Sequence, residues 1–168
     1  MGVNTDLFKP LNFGKSIDVF FIGDKGKTYD LLSRSLKLFK IKPKLYSMFR
    51  ENKMNISDEE LVRIYNKSRI LVALNYNEPF GLIPLEAMSC GIPVIGVNEG
   101  GYRESIINGK TGYLIERKPK MLGESLAKLL DNDKLRIDMG RDARKHVKKN
   151  WTWDKSIDRF LAIIKNVE

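Results

Sequence analysis

At 168 residues, 42% of them hydrophobic and 30% charged, the chain has the makeup of one folded domain, and disorder is excluded. Thirty Lys and Arg against 21 Asp and Glu leave a net charge of +9, which fits a solvated basic surface or an anionic partner and selects neither. The apolar runs at 70–74 and 92–97 are too short to span a bilayer. No signal-peptide pattern opens the chain, and the lone Cys90 rules out an internal disulfide framework, so the expected compartment is the cytoplasm.

Residues 1–15 carry no periodic pattern. Residues 17–22 form a continuous apolar and β-branched run stopped by Gly23, which predicts a buried parallel strand. Over 27–39, Leu31, Leu32, Ser35, Leu38 and Phe39 recur at helical spacing, and 45–49, after Pro43, predicts a second strand. Ser57-Asp58-Glu59-Glu60 is a capping box, so a helix should run from there to about Lys67. A third strand is expected at 70–74, then a loop over 75–81. A helix follows over 82–90, with Pro84 tolerated in its first turn and Gly91 stopping it. Strands are expected at 93–97 and, after the turn signal Asn108-Gly109, at 111–115. Pro119 opens a helix with the stripe Leu122, Leu126, Leu129 and Leu130, and two more helices cover 133–149 and 152–167. Strands alternating with helices predict an α/β domain, a parallel sheet with helices on both faces.

Such sheets bind ligands outside the carboxyl ends of their strands, here the loops 23–27, 75–81 and 98–103. Glu78 falls in the second of these loops, and Glu86 lies about one turn inside the helix that follows. Gly81 lets backbone approach a ligand, and the free N–H groups of a first helical turn favour an anion, so a diphosphate could be held there without metal. Carboxylates at that place can accept hydrogen bonds from sugar or ribose hydroxyls. The bland alternative for two bare glutamates is capping or surface pairing.

The surrounding residues, Asn77-Glu78-Pro79-Phe80-Gly81-Leu82-Ile83-Pro84-Leu85-Glu86-Ala87-Met88, resemble the Glu-x7-Glu signature of retaining GT-B glycosyltransferases, family 4 (glycosyl transferases group 1). The resemblance extends over most of the chain. Gly2-Val3-Asn4-Thr5-Asp6-Leu7-Phe8-Lys9-Pro10 looks like the family's entry into its C-terminal, donor-binding domain. Asn98-Glu99-Gly100-Gly101-Tyr102-Arg103-Glu104 and Asn108-Gly109-Lys110-Thr111-Gly112 resemble the glycine-rich loop and short strand after the signature, and Trp151-Thr152-Trp153-Asp154 resembles the family's ending. The likeness implies a single Rossmann-like domain, one half of a GT-B fold. It divides the chain into an interdomain linker at 1–15, a nucleotide-sugar-binding domain at 16–150, and a C-terminal helix at 151–168 that packs toward an N-terminal domain.

It also implies roles. Glu78 would contact the transferred sugar near its reacting carbon, the backbone of Phe80, Gly81 and Leu82 would meet sugar and phosphates, and Glu86 would hold the ribose. Family members place an arginine just after the first strand's glycine and a lysine several residues later, both on the diphosphate. Here, in Gly23-Asp24-Lys25-Gly26-Lys27-Thr28, Asp24 holds the arginine position, Lys27 fits the lysine position, and Lys25 stands as a substitute for the arginine. Asp24 beside a diphosphate would be unfavourable unless it turns away. The loop 50–56, where the family grips the base, is atypical and leaves the base open.

The expected function is therefore donor binding for metal-independent hexose transfer from a UDP- or GDP-sugar, inactive without the N-terminal, acceptor-binding domain in cis or trans. No cofactor, metal or nucleic acid is expected; peripheral contact with an anionic membrane and dimerisation of the isolated domain stay open. The rival reading is a non-catalytic nucleotide- or sugar-binding module, or a subunit of a split transferase. Gly26-Lys27-Thr28 mimics the end of a P-loop but has Phe21 where another glycine is needed. Asp131-Asn132-Asp133 is formally an Asp-x-Asp but falls between helices, where such residues are caps. His146 reads as a surface residue and Met88 and Cys90 as core. Tyr76 and Tyr102 are expected beside the cleft, against a sugar or lining its rim.

Overall fold

The computed structural model describes residues 1–49 and 56–165. Their architecture is built on β1 (Ile17–Gly23), β2 (Leu45–Phe49), β3 (Ser68–Ala73), β4 (Val94–Val97) and β5 (Gly112–Ile115). All pairings are parallel, in the order β2-β1-β3-β4-β5. Parallel strands need crossovers, and the helices supply them: α1 (Lys27–Leu38), α2 (Asp58–Lys67), α3 (Leu82–Ser89) and the single turn α4 (Tyr102–Ser105). Right-handed crossovers that run outward from β1 in opposite directions place α1 on one face of the sheet and α2 and α3 on the other. Beyond β5, α5 (Pro119–Leu130) returns to pack on α1, and α6 (Asp133–Asn150) packs on α3.

β1 and β3, both central, are covered on both faces. Val19, Phe20, Phe21, Ile70, Leu71 and Val72 are accordingly fully buried, which is why their sequences read as unbroken apolar runs. The Ser57 hydroxyl accepts the Glu60 N–H at 3.2 Å, as the capping pattern predicts, and Pro119 stands at the start of α5. Asn132 caps α6 by accepting from Leu135 N–H at 2.9 Å, so Asp131-Asn132-Asp133 is helix punctuation. Met88 and Cys90 are core residues. Strand β3 begins two residues earlier than its apolar run, because Ser68 pairs with Ile17 of β1; it is fully buried there, its hydroxyl satisfied by the Ile64 carbonyl at 2.7 Å.

Residues 1–15 are irregular but anchored. Val3 and Phe8 are buried, and Val3 N–H donates to the Trp151 carbonyl at 2.8 Å, which joins the first residues to the start of α7 (Trp153–Lys165). α7 itself buries nothing. Trp153, Ile157, Phe160, Leu161 and Ile164 make one apolar stripe at helical spacing, with Phe160 63% exposed. Among the described residues, no helix is long and apolar enough to cross a membrane.

Candidate functional site

The strand order reverses between β1, which leads toward β2, and β3, which leads toward β4. The crevice at that switch point lies outside the carboxyl ends of both strands and is flanked by the loops after Gly23 and after Ala73. The three loops read from the sequence therefore stand at the same end of the sheet.

The second loop is locked to the third. Gly101 N–H donates to the Glu78 carbonyl at 3.0 Å, and a side chain at Gly101 would run into the Phe80 backbone. Gly81 adopts φ +82° as the residue before α3, a left-handed conformation that glycine takes without strain. Its N–H donates to Glu78 Oε1 at 3.2 Å, so the Glu78 carboxylate folds back over the helix entrance. No side chain caps α3, and the exposed Leu82 opens its first turn. Phe80 is half-buried, its ring edge-on to Trp151 at 5.4 Å. Glu78, Phe80, Gly81 and Leu82 thus form one fixed corner at the start of α3, where the Glu78 carboxylate takes the Gly81 N–H and the N–H groups of the first helical turn, which no N-cap side chain takes, can draw an anion.

Glu86 does not pair on the surface. It sits half-buried inside α3, and its Oε2 accepts a 3.0 Å hydrogen bond from the hydroxyl of the fully buried Tyr65 on α2. Burial pushes the Glu86 carboxyl above its ordinary range, and the Tyr65 hydrogen bond opposes that rise. Tyr65 is raised well above the ordinary phenol by burial and by the neighbouring Glu86 charge. Sequence reasoning missed Tyr65. Its signal was a phenol on the apolar face of a helix, which must find a polar partner when buried.

At the first loop, Gly23 ends β1 in close contact with Thr28, and Lys25 and Lys27 are exposed, Lys25 with its ammonium 5.7 Å from the Phe49 ring centre. Asp24 turns back on its own helix. The Thr28 N–H lies 3.4 Å from Asp24 Oδ1, and the Thr28 hydroxyl takes the Asp24 N–H at 2.7 Å. Burial works against the charged carboxylate, but hydrogen bonds from Thr28 and from backbone N–H groups outweigh it and hold Asp24 below its ordinary value. Asp24 therefore sits on the N-terminus of α1, the place where a phosphate would draw on the same N–H groups.

One further residue was not foreseen. Arg117, just past β5, donates to the carbonyls of Leu74 at 2.9 Å and Asn75 at 3.1 Å, grips both oxygens of Glu99, and stacks on Tyr76 with 3.6 Å from guanidinium to ring centre. Tyr76 thereby lines the rim. Tyr102 does not open onto the cleft: it belongs to α4 and is buried, its ring packed behind the corner between Gly81 and Gly96. His146 is not a plain surface residue either. It is half-buried, and its Nε2 accepts the Trp151 indole N–H at 3.0 Å. Apart from Ile56, the loop at 50–56 lies outside the described residues. No group of three or more His, Cys, Asp or Glu among the described residues is placed to hold a metal.

The sequence profile of the glycosyl transferases group 1 matches residues 14–146. The chain belongs to that family. Among similar family members, a D-inositol 3-phosphate glycosyltransferase of Corynebacterium efficiens is 41% identical over 106 residues, which are 62% of this chain and 25% of that protein. The spore coat protein SA of Bacillus subtilis is 30% identical over 111 residues, 64% of this chain and 29% of that protein. The chain thus spans about a quarter of the length of the curated relatives it matches. Sucrose-phosphate synthase from Thermosynechococcus elongatus superposes on 99% of this chain with a TM-score of 0.80 at 20% identity, using 51% of its own length. The C-terminal domain of a group 1 family protein from Francisella tularensis superposes over its full length on 90% of this chain, with a TM-score of 0.74 at 21% identity. The domain is one half of a GT-B fold.

Proposed function

We propose that this domain binds a nucleotide-diphosphate sugar of the UDP or GDP type in the β1/β3 crevice and forms the donor half of a retaining, metal-independent glycosyltransferase. The observation that carries the reading is Glu86, a carboxylate set inside α3 and fixed by Tyr65 with one oxygen, which leaves the other oxygen to accept ribose hydroxyls. The uncapped start of α3 and Lys27 supply positive potential for the diphosphate. Glu78, tied to Gly81 N–H, positions the sugar beside the phosphates and stabilises positive charge as the bond from its reacting carbon to the diphosphate breaks. The diphosphate departs with the bonding electrons, and the acceptor oxygen forms its bond on the same face and gives up its proton to the departing diphosphate oxygen.

The apolar stripe of α7 supports the partner side of the reading. Five large apolar residues on one exposed helix face favour burial against another surface, and the N-terminal Rossmann-like half, in cis or trans, is the proposed cover. The isolated domain would then self-associate through α7 and would bind donor without transferring sugar.

Calorimetric titration with UDP, GDP and ADP, in the absence of metal, tests the donor site. One nucleotide diphosphate should bind, and Glu86→Ala should weaken it. Binding to none of the three would remove the donor-site reading. Asp24 on the α1 N-terminus is the observation that favours the second reading, a non-catalytic subunit with a weakened phosphate site.

A further inference from the structure

At the edge of the sheet opposite the donor crevice lies a cavity of about 450 Å³, bordered by Lys15, Asn66 and Gly91, which shortly precede β1, β3 and β4. A seven-residue strand rising ~3.3 Å per residue puts roughly 20 Å between the two sites. One wall is held by Asn66, whose side chain accepts the Leu11 N–H at 2.7 Å and donates to the Lys9 carbonyl at 3.0 Å. That fixes Pro10 and Leu11 over the cavity. The other wall is one face of α6, where Ile137, Arg141, Arg144, Lys145 and Lys148 recur at helical spacing.

The charge of this cavity is one-sided. Five cations line it and no Asp or Glu does. Lys15 is held by the carbonyls of Asn66 and Ser68, and Arg144 by those of Phe8 and Ser89, none of which neutralises charge. Arg141 pairs with Asp138 at 3.0 Å, and Lys145 and Lys148 have no ion pair among the described residues. Burial pushes the Cys90 thiol up to about 12, so the cavity floor stays neutral. Ile137 is 64% exposed at the mouth, and Leu11 faces it as another exposed apolar side chain. An apolar-walled cavity of this volume with a few convergent charged groups has the dimensions and chemistry of a small-ligand site.

We propose that this cavity binds an anionic amphiphile, its phosphate ester held by Lys145, Lys148 and Arg141 and its apolar stem lying against Leu11 and Ile137. Lys145 and Lys148, without counter-charges, favour the anion, Arg141 adds a guanidinium shared with Asp138, and the exposed apolar pair beside them favours a stem over a bare ion. The phosphate ester can come from a phospholipid in a bilayer or from a dispersed lipid phosphate. The site is independent of the donor crevice and does not rest on its assignment.

The full chain is titrated with dihexanoyl phosphatidic acid and with inorganic phosphate, and floated with vesicles of phosphatidylcholine, pure or containing about a third phosphatidylglycerol. The short-chain lipid should bind at least about tenfold more tightly than inorganic phosphate. Lys145→Glu/Lys148→Glu and Ile137→Ser should each weaken it by about tenfold, whereas Lys37→Glu/Lys42→Glu, an equal charge change elsewhere, should change it less than about threefold. Circular dichroism and nucleotide affinity, unchanged across all variants, would separate this result from misfolding and from the donor site. Vesicle binding that follows the same variants assigns the phosphate to the bilayer, and lipid binding without vesicle binding assigns it to a dispersed molecule. Equal affinity for the lipid and for inorganic phosphate, equal loss in the control variant, or no lipid binding would overturn the proposal.

Discussion

The Tyr65 hydroxyl reaches Glu86 Oε2 at 3.0 Å, so the half-buried carboxylate proposed to hold the ribose is anchored by a fully buried residue of α2. That arrangement orients Glu86 and limits how it can be replaced. A charge-assisted hydrogen bond contributes about 1.5–3 kcal/mol, so Glu86→Ala should weaken nucleotide-diphosphate binding by about tenfold or more. Inorganic pyrophosphate, which has no ribose, should bind both forms alike. Equal weakening of pyrophosphate and nucleotide in calorimetry would move Glu86 off the ribose. Tyr65→Phe should reproduce part of the loss and should raise the Glu86 carboxyl further, since it removes the one interaction that opposes burial.

Asp24 yields a prediction of opposite direction. Its carboxylate occupies the N–H groups at the start of α1 and places a negative charge where a diphosphate would approach. Asp24→Ser keeps an oxygen for the helix N-terminus and removes the charge. Relief of that repulsion, on the order of 1 kcal/mol in a partly solvated site, should tighten nucleotide-diphosphate binding by about fivefold. Raising the salt concentration should shrink the gain. A variant that binds no better, at low salt as well as high, would mean that the diphosphate does not approach α1.

The elements were legible wherever local chemistry decided them. Ser57 and Pro119 start their helices where caps and prolines do so, and the run at 45–49 is β2 without change. The corner around Glu78 and Gly81 was legible because its glycine, its helix start and its carboxylates lie within one short stretch of chain. α4 was not legible, being a single turn that follows two glycines, and Tyr102 went to the core because Gly81 and Gly96 leave room for its ring. Arg117 was illegible for a different reason. Its partners come from the ends of β3 and β4, and only the register of the sheet brings them together. His146 and Trp151 are five residues apart, but their contact depends on how α6 ends.

Arg117 should be a stability and positioning residue for the crevice rim. Its side chain is 15% exposed, and its guanidinium satisfies two backbone carbonyls, both oxygens of Glu99 and the face of Tyr76 at once. A planar fork can serve these partners together and a single ammonium cannot. Arg117→Met should lower unfolding stability in urea by about 2 kcal/mol, and Arg117→Lys should recover little of it. Full recovery by lysine would show that charge alone, without the fork, holds the rim.

His146 makes stability depend on pH in a defined direction. Burial lowers its pKa, a bond to the Ser105 backbone opposes that, and the nearby Lys110 charge adds to it, so the folded chain holds the proton less tightly than the unfolded one. The stabilising contribution is therefore complete above the unfolded value of about 6.5 and is lost as pH falls from there through the lower folded value. Glu86 acts with the opposite sign: its raised carboxyl takes a proton more readily in the folded state, so acidification favours folding through that group. His146→Gln separates the two, because glutamine can still accept the Trp151 indole N–H but does not titrate. The melting temperature of the parent chain minus that of His146→Gln should fall between about pH 7.5 and 5. Trp151 emission should shift over the same range, since protonated Nε2 can no longer accept the indole N–H. Phe80 packs edge-on against Trp151, so the same titration should reach the Glu78 loop and weaken nucleotide binding in acid. A melting difference that stays constant with pH would show that His146 titrates alike in the folded and unfolded chain, and the coupling to Phe80 would fall with it.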